Sequence, residues 1–214
     1  MVRTEDLIDA LATDAPAEPA DFLSRRVALA VGAGALVAFA ILMAWWGLRH
    51  DLAQAARSAF FWIKLGYGAA FAVAGAALVD RYGRPGGAAG SRWMLVAAPV
   101  VVLAAIALAV SVGVAPDQLR RDSLGHSWSV CALHILALAA PVFVAALWAF
   151  RRLAPTRLRL AGFAAGLMAG GAGAAVYGLA CTENTALFVL SWYTLGIAAC
   201  AAVGALLGPR LLRW

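Results

Sequence analysis

The sequence predicts an all-α polytopic membrane protein, a bundle of six transmembrane helices behind a short N-terminal segment. Three observations carry this. The 214 residues are 64% hydrophobic and 13% charged, with a mean hydropathy of +0.85, whereas soluble domains are roughly 25% charged. Six apolar runs of membrane-spanning length can be drawn along the chain. The charge is also divided: six of the 11 acidic residues lie within residues 1–24 beside a single Arg, a local −5 that leaves +11 on the rest of a +6 chain.

The runs are Val27–Leu48, Ala59–Val79, Trp93–Val114, Ser129–Phe150, Leu158–Ala180 and Ala186–Gly208. At about 1.5 Å of rise per residue, each crosses a hydrocarbon core of roughly 30 Å once. Helices are expected because hydrocarbon cannot satisfy exposed backbone groups, and the runs lack the two-residue alternation of barrel strands. The first run is too long for a signal-peptide core and no small-residue cleavage site follows it, so it is expected to be retained. Pro99 and Pro141 fall inside the third and fourth runs, where neighbouring helices can compensate for them. The Gly-rich stretch Arg81–Arg92 lacks the Lys-Ser/Thr ending of a phosphate loop and reads as a turn. Gly162, Gly166, Gly170 and Gly173 in the fifth run, with Gly196, Gly204 and Gly208 in the sixth, predict close packing of the last hairpin, within the chain or between chains. Three spans plus three would permit an inverted repeat, but the halves share no sequence similarity.

Arginine placement predicts the orientation. With the N-terminus cytoplasmic, twelve arginines fall on inner segments and four, Arg49, Arg57, Arg120 and Arg121, on outer loops. The excess of Lys and Arg belongs inside, so both termini are expected to be cytoplasmic. Trp45, Trp46, Trp62 and Trp128 then lie near outer ends, and Trp93, Trp148 and Trp214 near inner ones, as interfacial aromatics do. The basic balance thus reads as membrane orientation, with lipid as the surroundings and no direct contact with nucleic acid.

Few residues offer chemistry. Cys131, at the outer start of the fourth run, and Cys181, at the outer end of the fifth, share one predicted face. They form either a structural or reversible disulfide or two small buried residues that never meet. His134 follows Cys131 by one helical turn and Glu183 lies two residues beyond Cys181, with His126 nearby. Cys131, His134, Cys181 and Glu183 together make a candidate ligand set for a soft or borderline metal, without the tight double spacing of a zinc site. Cys200, mid-span, reads as packing. Lys64 is the one lysine in the chain and lies inside the second run near its outer end. It is expected either to snorkel outward or to pair, with Glu183 or Asp51. No run holds the several acids of an ion-coupled pump, and no Cys-x-x-Cys, His-Glu-x-x-His or Ser nucleophile elbow is present. The protein is expected not to be an enzyme and to carry no cofactor.

In the N-terminal "TEDLIDALATD", Thr4 can cap a helix whose first turn holds Glu5 and Asp6, favourable beside the positive helix end. Leu7, Ile8 and Leu11 form a narrow apolar stripe, with Asp9 and Asp14 on other sides. So short a helix is marginal in water and is expected to fold on a partner. "DAPAEPADF" then acts as breaker and spacer, and Arg25-Arg26 pins the end to the membrane surface. An acidic segment is repelled by the anionic cytoplasmic leaflet, so it is expected to project toward something basic.

That segment, with "FFWIKLGY", "RRLAPTRLRLAG", the pair Cys131 and Cys181, and "CTENTALFVLSWYTLG", resembles the NrsF-type six-helix membrane anti-sigma factors of proteobacteria over essentially the whole chain. The resemblance implies a bacterial inner-membrane protein that holds an extracytoplasmic-function sigma factor inactive and releases it under metal or oxidative envelope stress. It implies that Cys131 and Cys181 are the sensing pair. The residues themselves supply a compatible mechanism: residues 1–24 are expected to be the sigma-binding segment, with Leu7, Ile8 and Leu11 as apolar anchors and Glu5, Asp6, Asp9 and Asp14 steering it to a basic surface, and residues 25–214 the sensor domain. His126 and His134 match no family position. The alternatives are a small-molecule exporter or channel, supported by six spans and a buried Lys64, and a membrane redox enzyme using the two cysteines.

Overall fold

The computed structural model describes residues 3–5, 13, 22–84, 86, 87, 89–150 and 155–213. Its elements are α1 (Phe22–Trp45), α2 (Ala59–Tyr82), α3 (Trp93–Ser111), a short α4 (Pro116–Leu124), α5 (Trp128–Phe150), α6 (Leu158–Tyr177) and α7 (Thr194–Leu211). A helical turn Ala186–Phe188 and a π-helical turn Val189–Tyr193 run straight into α7. Among the described residues no strand is present, and six helices are long and apolar enough to cross a membrane. An even number of crossings puts the start of α1 and the end of α7 on one face, here called the terminal face.

The spans end where backbone chemistry stops them. α1 ends at Trp45, short of the expected Leu48, because Gly47 turns the chain at φ +71°. α3 ends at Ser111, and Gly113 turns at φ +79°. Such left-handed conformations suit glycine, which has no Cβ to clash. Pro99 and Pro141 both sit inside continuous helices. α4 is polar and lies in the loop opposite the terminal face, with Pro116 in its first turn and an Arg121–Asp117 ion pair at 2.6 Å along its surface.

α6 is the centre of the bundle. It packs against α7, α2 and α5, and α5 in turn packs on α1. Lipid is as apolar as leucine, so helices in a membrane associate by close packing of small residues. α6 consists largely of Gly and Ala, and the least apolar of the six spans is thereby the most enclosed. α3, the most apolar, is the most exposed. The expected packing of the last hairpin is present: a Cβ on Gly162 would collide with the Gly204 carbonyl, and one on Gly166 with that of Cys200.

Candidate functional site

The polar interior is gathered opposite the terminal face, around the loop 178–185 that joins α6 to the α7 approach. This segment cannot hydrogen-bond to itself as a helix does, so its carbonyls must find donors elsewhere. Two buried cations supply them. Lys64 of α2 is fully buried, and its Nζ donates to the carbonyls of Cys181 at 2.7 Å and Glu183 at 2.9 Å. Arg49, just after α1, is 6% exposed, and its Nη1 donates to the same Cys181 carbonyl at 3.2 Å and to Asn184 Oδ1 at 3.3 Å. The Arg49 backbone N–H also reaches Leu179 O at 3.4 Å. One carbonyl, that of Cys181, therefore ties α1 and α2 to the loop.

Lys64 takes neither of the roles the sequence suggests. It does not snorkel, because the loop folds down onto α2 and brings acceptors to the ammonium. It does not bond to a carboxylate, because both candidates are engaged elsewhere. Asp51 accepts from Arg49 Nε at 2.7 Å and Nη2 at 2.8 Å, a two-point pairing that sets the guanidinium plane. These hydrogen bonds hold the Asp51 carboxyl down at about 2, below its ordinary 3.8. Glu183 Oε1 accepts from the backbone N–H of His126 at 2.7 Å and of Ser127 at 3.2 Å, at the start of α5. A carboxylate there satisfies donors that a helix start leaves open and complements its positive end. Gly125 permits the approach: its φ is +57°, and a Cβ would stand 2.8 Å from the Glu183 carboxyl. Thr185 Oγ1 to Asp122 O at 2.6 Å and Trp192 Nε1 to Ser123 O at 2.9 Å close the loop over α4.

Cys131 and Cys181 lie within this frame. Both are free thiols, 0% and 3% exposed. Tyr193, from the π-helical turn, is fully buried, with its hydroxyl beside Cys181. Cys200 lies apart, packed against Gly170 of α6.

His134 faces Tyr177 and Trp46, in a pocket that Ala180 and Thr182 of the 178–185 loop also line. Its Nδ1 is 3.3 Å from the Tyr177 hydroxyl, and its ring packs against Trp46, tilted by 55° with 4.5 Å between centroids. His126 is exposed, its Nδ1 3.8 Å from Glu183. Among the described residues no three of His, Cys, Asp and Glu are gathered closely enough to hold one metal ion, so Cys131, His134, Cys181 and Glu183 do not converge as a ligand set. Of the N-terminal residues, Glu5 is exposed and pairs with Arg3 at 3.2 Å. Asp6, Leu7, Ile8, Asp9, Leu11 and Asp14 lie outside the described residues.

Arg49 and Tyr193 are the participants that sequence reasoning missed. Arg49 counted only as a loop charge, although the Arg-x-Asp spacing with Asp51 was a signal for a preset guanidinium. Nothing marks Tyr193 within its apolar run.

Fold and site together define a class: a six-span helical membrane protein whose polar centre is a charge-clamped loop carrying a buried thiol, opposite the face where both ends of the bundle emerge. Comparisons with known proteins give the family. The family described as "Negative regulator of sigma F" matches residues 11–214. The chain is 42% identical to the anti-sigma-F factor NrsF of Caulobacter vibrioides, over the whole of both chains. It is 43% identical, again over both full lengths, to the probable anti-sigma-F factor NrsF of Azospira oryzae. No solved structure matches. The chain belongs to the NrsF family, a family of regulators and not of enzymes.

Proposed function

We propose that this protein is an anti-sigma factor of the bacterial inner membrane, with both termini cytoplasmic, that sequesters an extracytoplasmic-function sigma factor and releases it on metal or oxidative envelope stress. The observation that carries the reading is full-length identity above 40% to proteins named anti-sigma-F factors. Residues 1–24 form the sigma-binding segment: Leu7, Ile8 and Leu11 anchor it, while Glu5, Asp6, Asp9 and Asp14 steer it to a basic surface. Residues 25–214 form the sensor, with Cys131 and Cys181 as its sensing pair.

The clamp suggests how the two ends communicate. Oxidation or ligation at Cys181 moves its backbone, and its carbonyl is held by Lys64 of α2 and by Arg49 at the end of α1. α1 continues toward the N-terminal segment at its other end. A shift of the Cys181 carbonyl thus biases the placement of α1, which is the differential contact that a two-state switch requires.

The test is co-purification of the full-length protein from its host with a bound sigma factor, joined to a sigma-dependent reporter. Leu7→Asp with Leu11→Asp is expected to abolish repression. Repression at the wild-type level by that double variant sinks the tail-clamp mechanism.

A further inference from the structure

α1 and α2 are consecutive spans, yet they scarcely touch: α1 packs on α5 and α2 on α6. A groove therefore opens between them toward the terminal face, with a cavity volume of about 750 Å³. That is within the roughly 300–1,000 Å³ of small-molecule sites. Val27, Val31, Ala72 and Ala76 line its walls, and Asp80 and Arg92 stand at its end. Ala72 to Asp80 is about 12 Å of helix rise, close to the ~15 Å depth of one leaflet. Val73 also borders a second apolar groove of about 560 Å³, between α2 and α3, which continues toward the other face.

Two glycines show that these grooves are not closed by protein. Among the described glycines of the six spans, Gly32 and Gly66 alone have open space where a Cβ would stand, and each lines one groove. The others would press a Cβ against a neighbouring helix.

The mouth of the first groove carries surplus positive charge. Asp80 accepts from Arg84 at 2.9 Å through one oxygen and from Arg92 at 3.1 Å through the other. Arg92 also donates to Ala77 O at 2.7 Å, which anchors it at the groove end. One carboxylate thus faces two guanidinium groups, and the exposed Arg25 stands two residues before Val27.

We propose that the α1–α2 groove binds an anionic phospholipid, its acyl chains between the two helices and its phosphate held by Arg92 and Arg84. Apolar walls one leaflet deep, ending in surplus guanidinium, match the shape and charge of that lipid. A zwitterionic lipid shares the chains but not the net charge. Bound there, the lipid supplies the contact that α1 and α2 lack and steadies the first turns of α1. The site is separate from the thiol cluster, since Lys64 and Asp80 lie about 24 Å apart along α2.

The test is native mass spectrometry of the full-length protein in detergent, titrated with phosphatidylglycerol and phosphatidylethanolamine of identical chains. Phosphatidylglycerol is expected to be preferred by about five-fold or more, the order given by one basic residue at a membrane surface. Arg92→Gln with Arg84→Gln should bring the preference close to unity, whereas Arg210→Gln, at the end of α7, should leave it intact. Gly32→Leu, whose Cβ stands in open space on the groove wall, should weaken both lipids. Should the arginine variants fail to give the wild-type thermal transition, Gly32→Leu carries the test alone. Equal retention of the two lipids by the wild type, a preference lost equally in Arg210→Gln, or unaltered binding in Gly32→Leu overturns the proposal.

Discussion

Replacing Lys64 by Met keeps an unbranched side chain, one atom shorter, and removes its charge and donors. The ammonium makes two charge-assisted hydrogen bonds in the interior, each contributing about 1.5–3 kcal/mol. Against that loss of about 3–6 kcal/mol stands relief from burying a cation, about 2.5–3.5 kcal/mol on insertion scales. The net effect on global stability is therefore a loss of only about 1–2 kcal/mol. The local effect is larger, because hydration of the freed loop does not recover the restraint. The Glu183 carbonyl loses its donor, while Arg49 still holds that of Cys181. A local restraint weakened by about 3 kcal/mol raises loop opening about 100-fold. Maleimide labelling of the full-length protein, with each cysteine resolved by peptide mass spectrometry, reads this directly. Cys181, 3% exposed in the native fold, should react far faster in Lys64→Met and at an intermediate rate in Lys64→Gln, while Cys200 stays unchanged. A Cys181 rate within about threefold of wild type in Lys64→Met would refute the clamp.

Glu183→Ala leaves the N–H groups of His126 and Ser127 without their acceptor, a loss of about 1–3 kcal/mol; hydrogen exchange should quicken at residues 126–131 and not in α6. Asp51 is held at about 2 against an ordinary 3.8, so its contribution to stability is complete above about pH 3.8 and is lost as pH falls toward 2. Acid-induced opening of the 178–185 loop, followed by reaction of Cys181 with a pyridyl disulfide, which stays reactive toward thiols in acid, should lose that component in Asp51→Asn. Gly204→Val forces α7 away from the Gly162 carbonyl, and overpacking at a helix contact costs about 1–3 kcal/mol or more. Its thermal transition should fall well below that of Leu206→Val, whose side chain is exposed.

The resemblance and the composition reached the fold class and the family correctly, and single residues show why they stopped there. The spans were legible because apolar length is a local property, though Gly47 and Gly113 end two of them earlier than hydropathy alone suggests. The glycines of α6 and α7 announced the tight hairpin, since four-residue spacing is itself geometric. Lys64 was conspicuous as an intramembrane cation, but its acceptors are carbonyls 117 and 119 residues away, and a backbone carbonyl leaves no mark in a sequence. The residue letters at Asp51 and Glu183 suggested partners for Lys64 that Arg49 and the start of α5 had already taken.

By itself, then, the sequence determined the helical spans, the arginine asymmetry across them and the small residues that let the centre close. These follow from the chain's local chemistry in hydrocarbon. Only the tertiary structure decided that Cys131 and Cys181 are enclosed, that one carbonyl receives two buried cations, and that α1 and α2 stand apart with arginines at the mouth between them. Each depends on how a loop folds back against helices remote in sequence, where unsatisfied backbone groups in a low-dielectric interior take whichever donors the packing brings within reach.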